Sequence, residues 1–80
     1  MISKIDVQAE IHYNLAIAKH KLEDYEGAIA EYTKAIQLKP DFLNAYHFRG
    51  VLYLVLGKKN EAIADFEKTN HLNSPFNFDV

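Results

Sequence analysis

The stretch Ala28-Ile29-Ala30-Glu31-Tyr32-Thr33-Lys34-Ala35-Ile36-Gln37-Leu38-Lys39-Pro40 decides how the chain is read. Ala28, Ile29, Tyr32, Ala35, Ile36 and Leu38 recur at steps of three and four, which places them along one stripe of an α-helix. Small Ala28 and Ala35 admit a neighbouring helix at close range, and Tyr32 between them fills the groove. Pro40 lacks an amide donor and disfavours helix at Lys39, so the stop is encoded locally.

The same pattern returns as Ala62-Ile63-Ala64-Asp65-Phe66-Glu67-Lys68, displaced by 34 residues. Leu22 with Leu56, Tyr32 with Phe66, and Leu38 with Leu72 keep that offset. Upstream of each copy lies a second helical segment. Ile5, Ile11, Leu15, Ala18 and Leu22 are spaced for a helix over about residues 4–22. Ser3 and Asp6 have the spacing of a capping box at its start. Asp24 is suited to cap a helix from Tyr25 to Leu38. Asp41 is the expected N-cap of a third helix that carries Leu43, Tyr46, Gly50, Tyr53 and Leu54 and stops at Gly57, a residue fit for the left-handed C′ position. The fourth runs from about Lys59 to Leu72, and Asn73-Ser74-Pro75 closes it. The tail, Phe76 to Val80, alternates apolar and polar residues; a packed or extended tail is favoured over a strand.

At this point the chain resembles two tandem tetratricopeptide repeats, residues 9–42 and 43–76, with a tail of residues 77–80, all in one domain. Tyr46, Gly50, Tyr53, Ala62 and Phe66 match the family's pattern in the second repeat. Leu15, Ala28, Tyr32, Ala35 and Pro40 match it in the first, with Ala16 in place of the Gly. The resemblance implies an all-α fold, two antiparallel helix-turn-helix pairs stacked as a short right-handed solenoid. There are departures. His12 and Lys19 replace aromatics, and Arg49 takes a Leu position, where its aliphatic stem can still pack. Glu23 stands where a helix-ending Gly is usual; a left-handed Glu23 would give up roughly 1 kcal/mol.

Two hairpins fall short of the three or more that such arrays generally need, and neither end has a capping helix. Phe66, Leu72 and Ile63 should therefore lie near an open end, to be covered by the Phe76/Phe78 tail, a second copy or a partner.

The 80 residues, 49% hydrophobic and 25% charged, suit one small soluble domain of marginal stability. Without cysteine there is neither a disulfide framework nor a thiolate metal site, which fits a cytoplasmic setting. A net charge of −2 with interspersed signs gives no footprint for nucleic acid or anionic lipid. The N-terminus is too polar for a signal peptide, and the densest apolar run, Val51 to Leu56, is too short to span a membrane.

The resemblance implies that helix-A side chains line a concave, peptide-binding face. By repeat position these are Tyr13, Asn14, Ile17 and Lys21, then His47, Phe48, Val51, Leu54 and Val55. Phe48, Val51 and Val55 follow a three-four step and should form an apolar strip, either a groove for a protein or peptide partner or a contact hidden by the tail or by self-association. One subclass of the family clamps the C-terminal carboxylate of chaperone tails with Lys and Asn. Here Tyr13, Ile17 and Phe48 occupy those positions, so no such tail is expected to bind.

No cofactor, metal or catalytic residue is called for. His12 and His20 share a helix face but stand some 12 Å apart along the axis, too far to chelate one ion. Ser3, Ser74, Thr33 and Thr69 have no nucleophile partners at recognisable spacing, and there is no Gly-rich phosphate loop. The favoured function is non-catalytic protein–protein interaction; the alternative is self-assembly into a homo-oligomer or docking onto other repeat proteins.

Overall fold

The computed structural model describes residues 2–73. It contains four helices: α1 (Lys4–Lys21), α2 (Tyr25–Leu38), α3 (Leu43–Val55) and α4 (Lys59–Asn73). α1 packs on α2 and α3 on α4 as two helix-turn-helix pairs, and α2 joins the pairs by packing on α3. No strand occurs among the described residues. None of their helices is long and apolar enough to cross a membrane. The tail and its closing Pro75 lie outside the described residues.

Local sequence sets most boundaries. Ser3 Oγ accepts from the Asp6 amide at 3.1 Å, and Asp24 Oδ1 accepts from the Gly27 amide at 3.0 Å. A Cβ on Gly27 would overlap the Asp24 carboxylate, so glycine makes room for this cap. Both interhelix turns within the repeats are Schellman motifs. The Glu23 and Asp24 amides return to His20 and Lys19 carbonyls at 2.8 and 2.9 Å; those of Gly57 and Lys58 return to Leu54 and Tyr53 at 3.0 and 2.7 Å. The motif requires a left-handed residue at C′, and Glu23 (φ 64°) adopts it as fully as Gly57 (φ 78°).

The start of α3 differs from expectation. Phe42, not Asp41, is its N-cap, with no side-chain cap bond. The Phe42 ring is buried and stacks on Tyr13 at 4.8 Å between centroids. Burying that ring outweighs the roughly 1 kcal/mol that a side-chain cap supplies. Lys39 ends α2 in an extended conformation (φ −137°, ψ 88°), as a residue before proline must. The Tyr46 hydroxyl, donating to the Pro40 carbonyl at 3.0 Å, fastens that turn to α3.

The core follows the central stripe. Ala28, Tyr32, Ala35 and Ile36 of α2 are buried with Ala9 and Ala16 of α1 and Ala45, Tyr46 and Leu52 of α3. Gly50 lets α4 approach α3: a Cβ there would stand 2.8 Å from Cε1 of Phe66. The periodic residues that mark α1 as a helix lie outside the core. Ile5, Ile11, Leu15 and Leu22 are all exposed, while the α1 side facing α2 carries Ala9, Tyr13 and Ala16. Periodicity identified a helix with an apolar stripe, but that stripe faces away from α2. Ile63 is exposed, as expected at an open end; the side chain of Leu72 lies outside the described residues.

Each pair is also clasped by a buried acid at the same repeat position. Glu31 of α2 accepts from Lys19 at 3.0 Å and sits 2.7 Å from Nδ1 of His12. Asp65, 34 residues later, receives both Nε and Nη2 of Arg49 at 2.8 and 2.7 Å, a bidentate pair. Arg49 Nη1 also donates to Thr33 of α2 at 3.1 Å, so one guanidinium links three helices. The residues that depart from the repeat pattern, His12, Lys19 and Arg49, are thus the partners of these acids.

A candidate peptide-binding cleft

The C-terminal half of α1, the first residues of α2 and the middle of α3 enclose a cleft of about 410 Å³. Tyr13, Ile17, Tyr32 and Phe48 line it, together with His20, Lys21, Glu23 and Tyr25. Helical spacing explains the first side: Tyr13, Ile17 and Lys21 are four apart and project one above the other from α1. Phe48 enters from α3. Tyr25, the first residue of α2, reaches the cleft because the Glu23 turn is tight.

The aromatic rings brace one another. Tyr13 meets Tyr32 edge-on at 5.8 Å and Phe48 at 6.3 Å, and Tyr32 and Phe48 stack at 6.2 Å. His20 meets Tyr25 edge-on at 5.7 Å. Ring-on-ring packing holds these side chains in place before any ligand arrives. Burial pushes the Tyr32 phenol up to about 12, with Tyr13 adding to the effect. Burial, then Glu10, raises Tyr13 as well. Both phenols stay neutral near pH 7, leaving Lys21 as a cation and Glu23 as an anion beside an apolar, aromatic surface.

Of the nine residues singled out from sequence, Tyr13, Ile17, Lys21 and Phe48 come together here. Asn14 is exposed on α1 and does not line the cleft. His47 lines a second cleft, of about 280 Å³, with Leu43, Asn44, Thr69 and Asn70. Its ring lies 5.2 Å from Phe48 and 5.9 Å from Phe66. Val51 is half-buried, and Leu54 and Val55 are exposed; none of the three lines either cleft. The strip expected from Phe48 through Val51 to Val55 therefore contributes only Phe48 to the larger cleft.

Sequence reasoning missed His20, Glu23, Tyr25 and Tyr32. Tyr32 was assigned to the core, which it does occupy. The signal for the other three was the turn: residues around a Schellman motif are drawn back over the end of the helix they leave.

The described residues contain no group of three or more His, Asp or Glu placed to hold a metal. His12 is engaged with Glu31, and His20 packs on Tyr25.

Comparison with known proteins agrees with this architecture. Residues 18–57 match the family model described as TPR repeat. The UDP-N-acetylglucosamine–peptide N-acetylglucosaminyltransferase of Giardia intestinalis is 39% identical over 64 residues, 80% of this chain and 4% of that protein. The Hsp70-Hsp90 organizing protein of Triticum aestivum is 37% identical over 51 residues, 64% of this chain and 9% of that protein. The SGT1 homolog of Bos taurus is 37% identical over 51 residues, 64% of this chain and 15% of that protein. The chain thus spans only a small part of these relatives. The 34-residue repeat, its paired helices and the family match lead to one conclusion: this chain belongs to the TPR repeat family.

Proposed function

We propose that the chain is a non-catalytic protein–protein interaction module of the cytoplasm, and that it binds a peptide or partner helix through the aromatic cleft. The observation that carries this reading is the convergence of Tyr13, Ile17, Tyr32 and Phe48 on one open cleft with Lys21 at the same place. Such a surface suits an apolar or aromatic anchor residue, while Lys21 and Glu23 orient polar groups beside it.

One relative in the comparison is named as an Hsp70-Hsp90 organizing protein, but this cleft is unsuited to a terminal carboxylate. Tyr13, Ile17 and Phe48 stand where the clamping cations and amides would be needed, so Lys21 is the one lysine or arginine lining the cleft that could meet a carboxylate, and Glu23 lines it as well. The test is an NMR titration with peptides selected on the intact chain from a displayed random library, each prepared with a free and an amidated C-terminus. Shifts at Ile17, Lys21 and Phe48 that are the same for both forms are expected. Binding that needs the free carboxylate would refute the argument. Ile17→Glu should abolish binding while helicity is kept.

The second reading is self-assembly, favoured by a different observation: the exposed apolar residues of α1. The two readings separate on Ile17→Glu, which should leave the assembly state unchanged.

A further inference from the structure

Tyr32 carries a hydroxyl that the fold does not use. The residue as a whole is buried, yet it lines the larger cleft behind the half-buried Tyr13, Ile17, Tyr25 and Phe48. At the same repeat position Phe66 fills the corresponding place with a ring alone, so packing does not call for an oxygen here. The hydroxyl of Tyr46, by contrast, donates to the Pro40 carbonyl. No hydrogen bond of the Tyr32 hydroxyl occurs among the described residues; burial and neighbouring Tyr13 raise its phenol without one. Among those residues no side-chain oxygen or nitrogen is both sealed off and unpartnered. The oxygen is therefore the atom through which Tyr32 reaches the cleft, with the ring behind it covered.

We propose that this hydroxyl recognises the tip of a side chain inserted from a partner peptide, and that the inserted side chain is tyrosine. The proposal rests on the peptide reading of the cleft and adds the residue that selects among anchors. Depth comes first. A group set deeper than the rest of the lining meets the innermost part of whatever enters. A partner's backbone carbonyl stays at the rim once its side chain fills the cleft, so the hydroxyl faces the side chain's end. Serine and threonine are too short to bring a hydroxyl there and leave the walls without contact.

The walls call for a ring. Tyr13, Tyr25 and Phe48 offer aromatic faces and edges, which pack well on another aromatic side chain, and about 410 Å³ takes one such ring. The floor then separates the anchors. Phenylalanine or leucine expels water and leaves the hydroxyl with no partner, the costly half of a hydrogen bond. A charged group of either sign would be desolvated at a floor that offers one neutral hydroxyl, while Lys21 and Glu23, both exposed, stay at the rim. Tryptophan carries its N–H on the side of the ring, not at its end. Tyrosine combines an aromatic body with a terminal hydroxyl that can donate or accept, as that of Tyr32 can. The raised phenol suits the role, because near neutral pH it keeps the proton it would donate.

The experiment is an NMR titration of the 80-residue chain with N-acetyl-tyrosinamide and, separately, N-acetyl-phenylalaninamide, which differ only in the hydroxyl. Both should shift Ile17, Lys21 and Phe48, and the tyrosine probe should bind at least about fivefold more tightly, a comparison that needs no variant. Tyr32→Phe should erase the difference, by weakening the tyrosine probe while sparing or strengthening the other. Because the hydroxyl has no partner within the fold, the urea midpoint of Tyr32→Phe at neutral pH should be unchanged or raised. Tyr53→Phe, which alters a ring packed on Arg49 outside the cleft, should leave the preference as it was. Equal affinity for the two probes, a preference that outlives Tyr32→Phe or is lost with Tyr53→Phe, a lowered midpoint for Tyr32→Phe, or no shift with either probe would overturn the proposal. The library peptides decide the parent reading separately: cleft-binding peptides without tyrosine would leave that reading standing and strike only this one.

Discussion

Replacing Glu23 by glycine should stabilise this protein, and the size of the gain can be worked from its own second repeat. Glu23 and Gly57 occupy the same C′ position of the same Schellman turn, with φ of 64° and 78°. A left-handed L-residue sacrifices about 1–2 kcal/mol to the clash between Cβ and carbonyl. Glycine removes that penalty but adds about 0.4–1 kcal/mol of chain entropy to be lost on folding. The net gain for Glu23→Gly is therefore about 0.5–1 kcal/mol, or several degrees in Tm for a domain of this size. Glu23 is exposed and no hydrogen bond or ion pair of its side chain occurs among the described residues, so little is forfeited. The reciprocal change isolates the cause. A Cβ on Gly57 would meet nothing within 4 Å, so Gly57→Ala should lower stability by a similar amount through backbone conformation alone. Urea unfolding followed by circular dichroism, with equal m-values required of all variants, measures both. Destabilisation by Glu23→Gly, or neutrality of both changes, would refute the reasoning.

Three further outcomes follow from the buried groups. Asp65→Ala leaves Arg49 buried without its bidentate partner and should cost about 3–5 kcal/mol, while Arg49→Met with Asp65→Leu should recover most of it; denaturant titration of the single and double variants decides. Hydrogen bonds from His12, then Lys19, hold the Glu31 carboxyl below its ordinary value of 4.5. Its contribution is accordingly present above pH 4.5 and lost as pH falls through the depressed folded value, and Glu31→Gln should flatten the acid limb of a Tm-against-pH profile. Tyr32 shifts the opposite way. Its phenol rises from 10.0 to about 12, so its contribution is complete below pH 10 and lost as pH rises toward 12; Tyr32→Phe should blunt alkaline unfolding monitored at the tyrosinate absorbance band.

The sequence by itself determined the four helices, their order and the 34-residue frame. These are local properties. Alternation at three and four, a proline stop, Asp24 at a cap and Gly57 at C′ act over distances of a few residues, so they can be read without knowing the neighbours. Gly50 was legible too, since a repeat that lacks a side chain there brings its helices close.

What the sequence left open concerns which stripe meets which surface. Ile5, Ile11, Leu15 and Leu22 have the periodicity of a core face and lie outside it, because a helix with apolar residues on two sides does not reveal which one the next helix will cover. His12, Lys19 and Arg49 looked like erosions of the pattern until Glu31 and Asp65 were found opposite them, 12 to 19 residues away along the chain. The start of α3 went to Phe42 because its ring had Tyr13 of α1 to stack on, a contact between residues far apart in the chain. The cleft likewise needed α1, the turn at Glu23 and α3 brought together, and its Tyr25 and His20 have no shared periodicity with Phe48. Backbone preference is settled within a turn of helix, whereas burial, ion pairing and concavity depend on surfaces that meet only when the helices pack; those the tertiary structure alone decided.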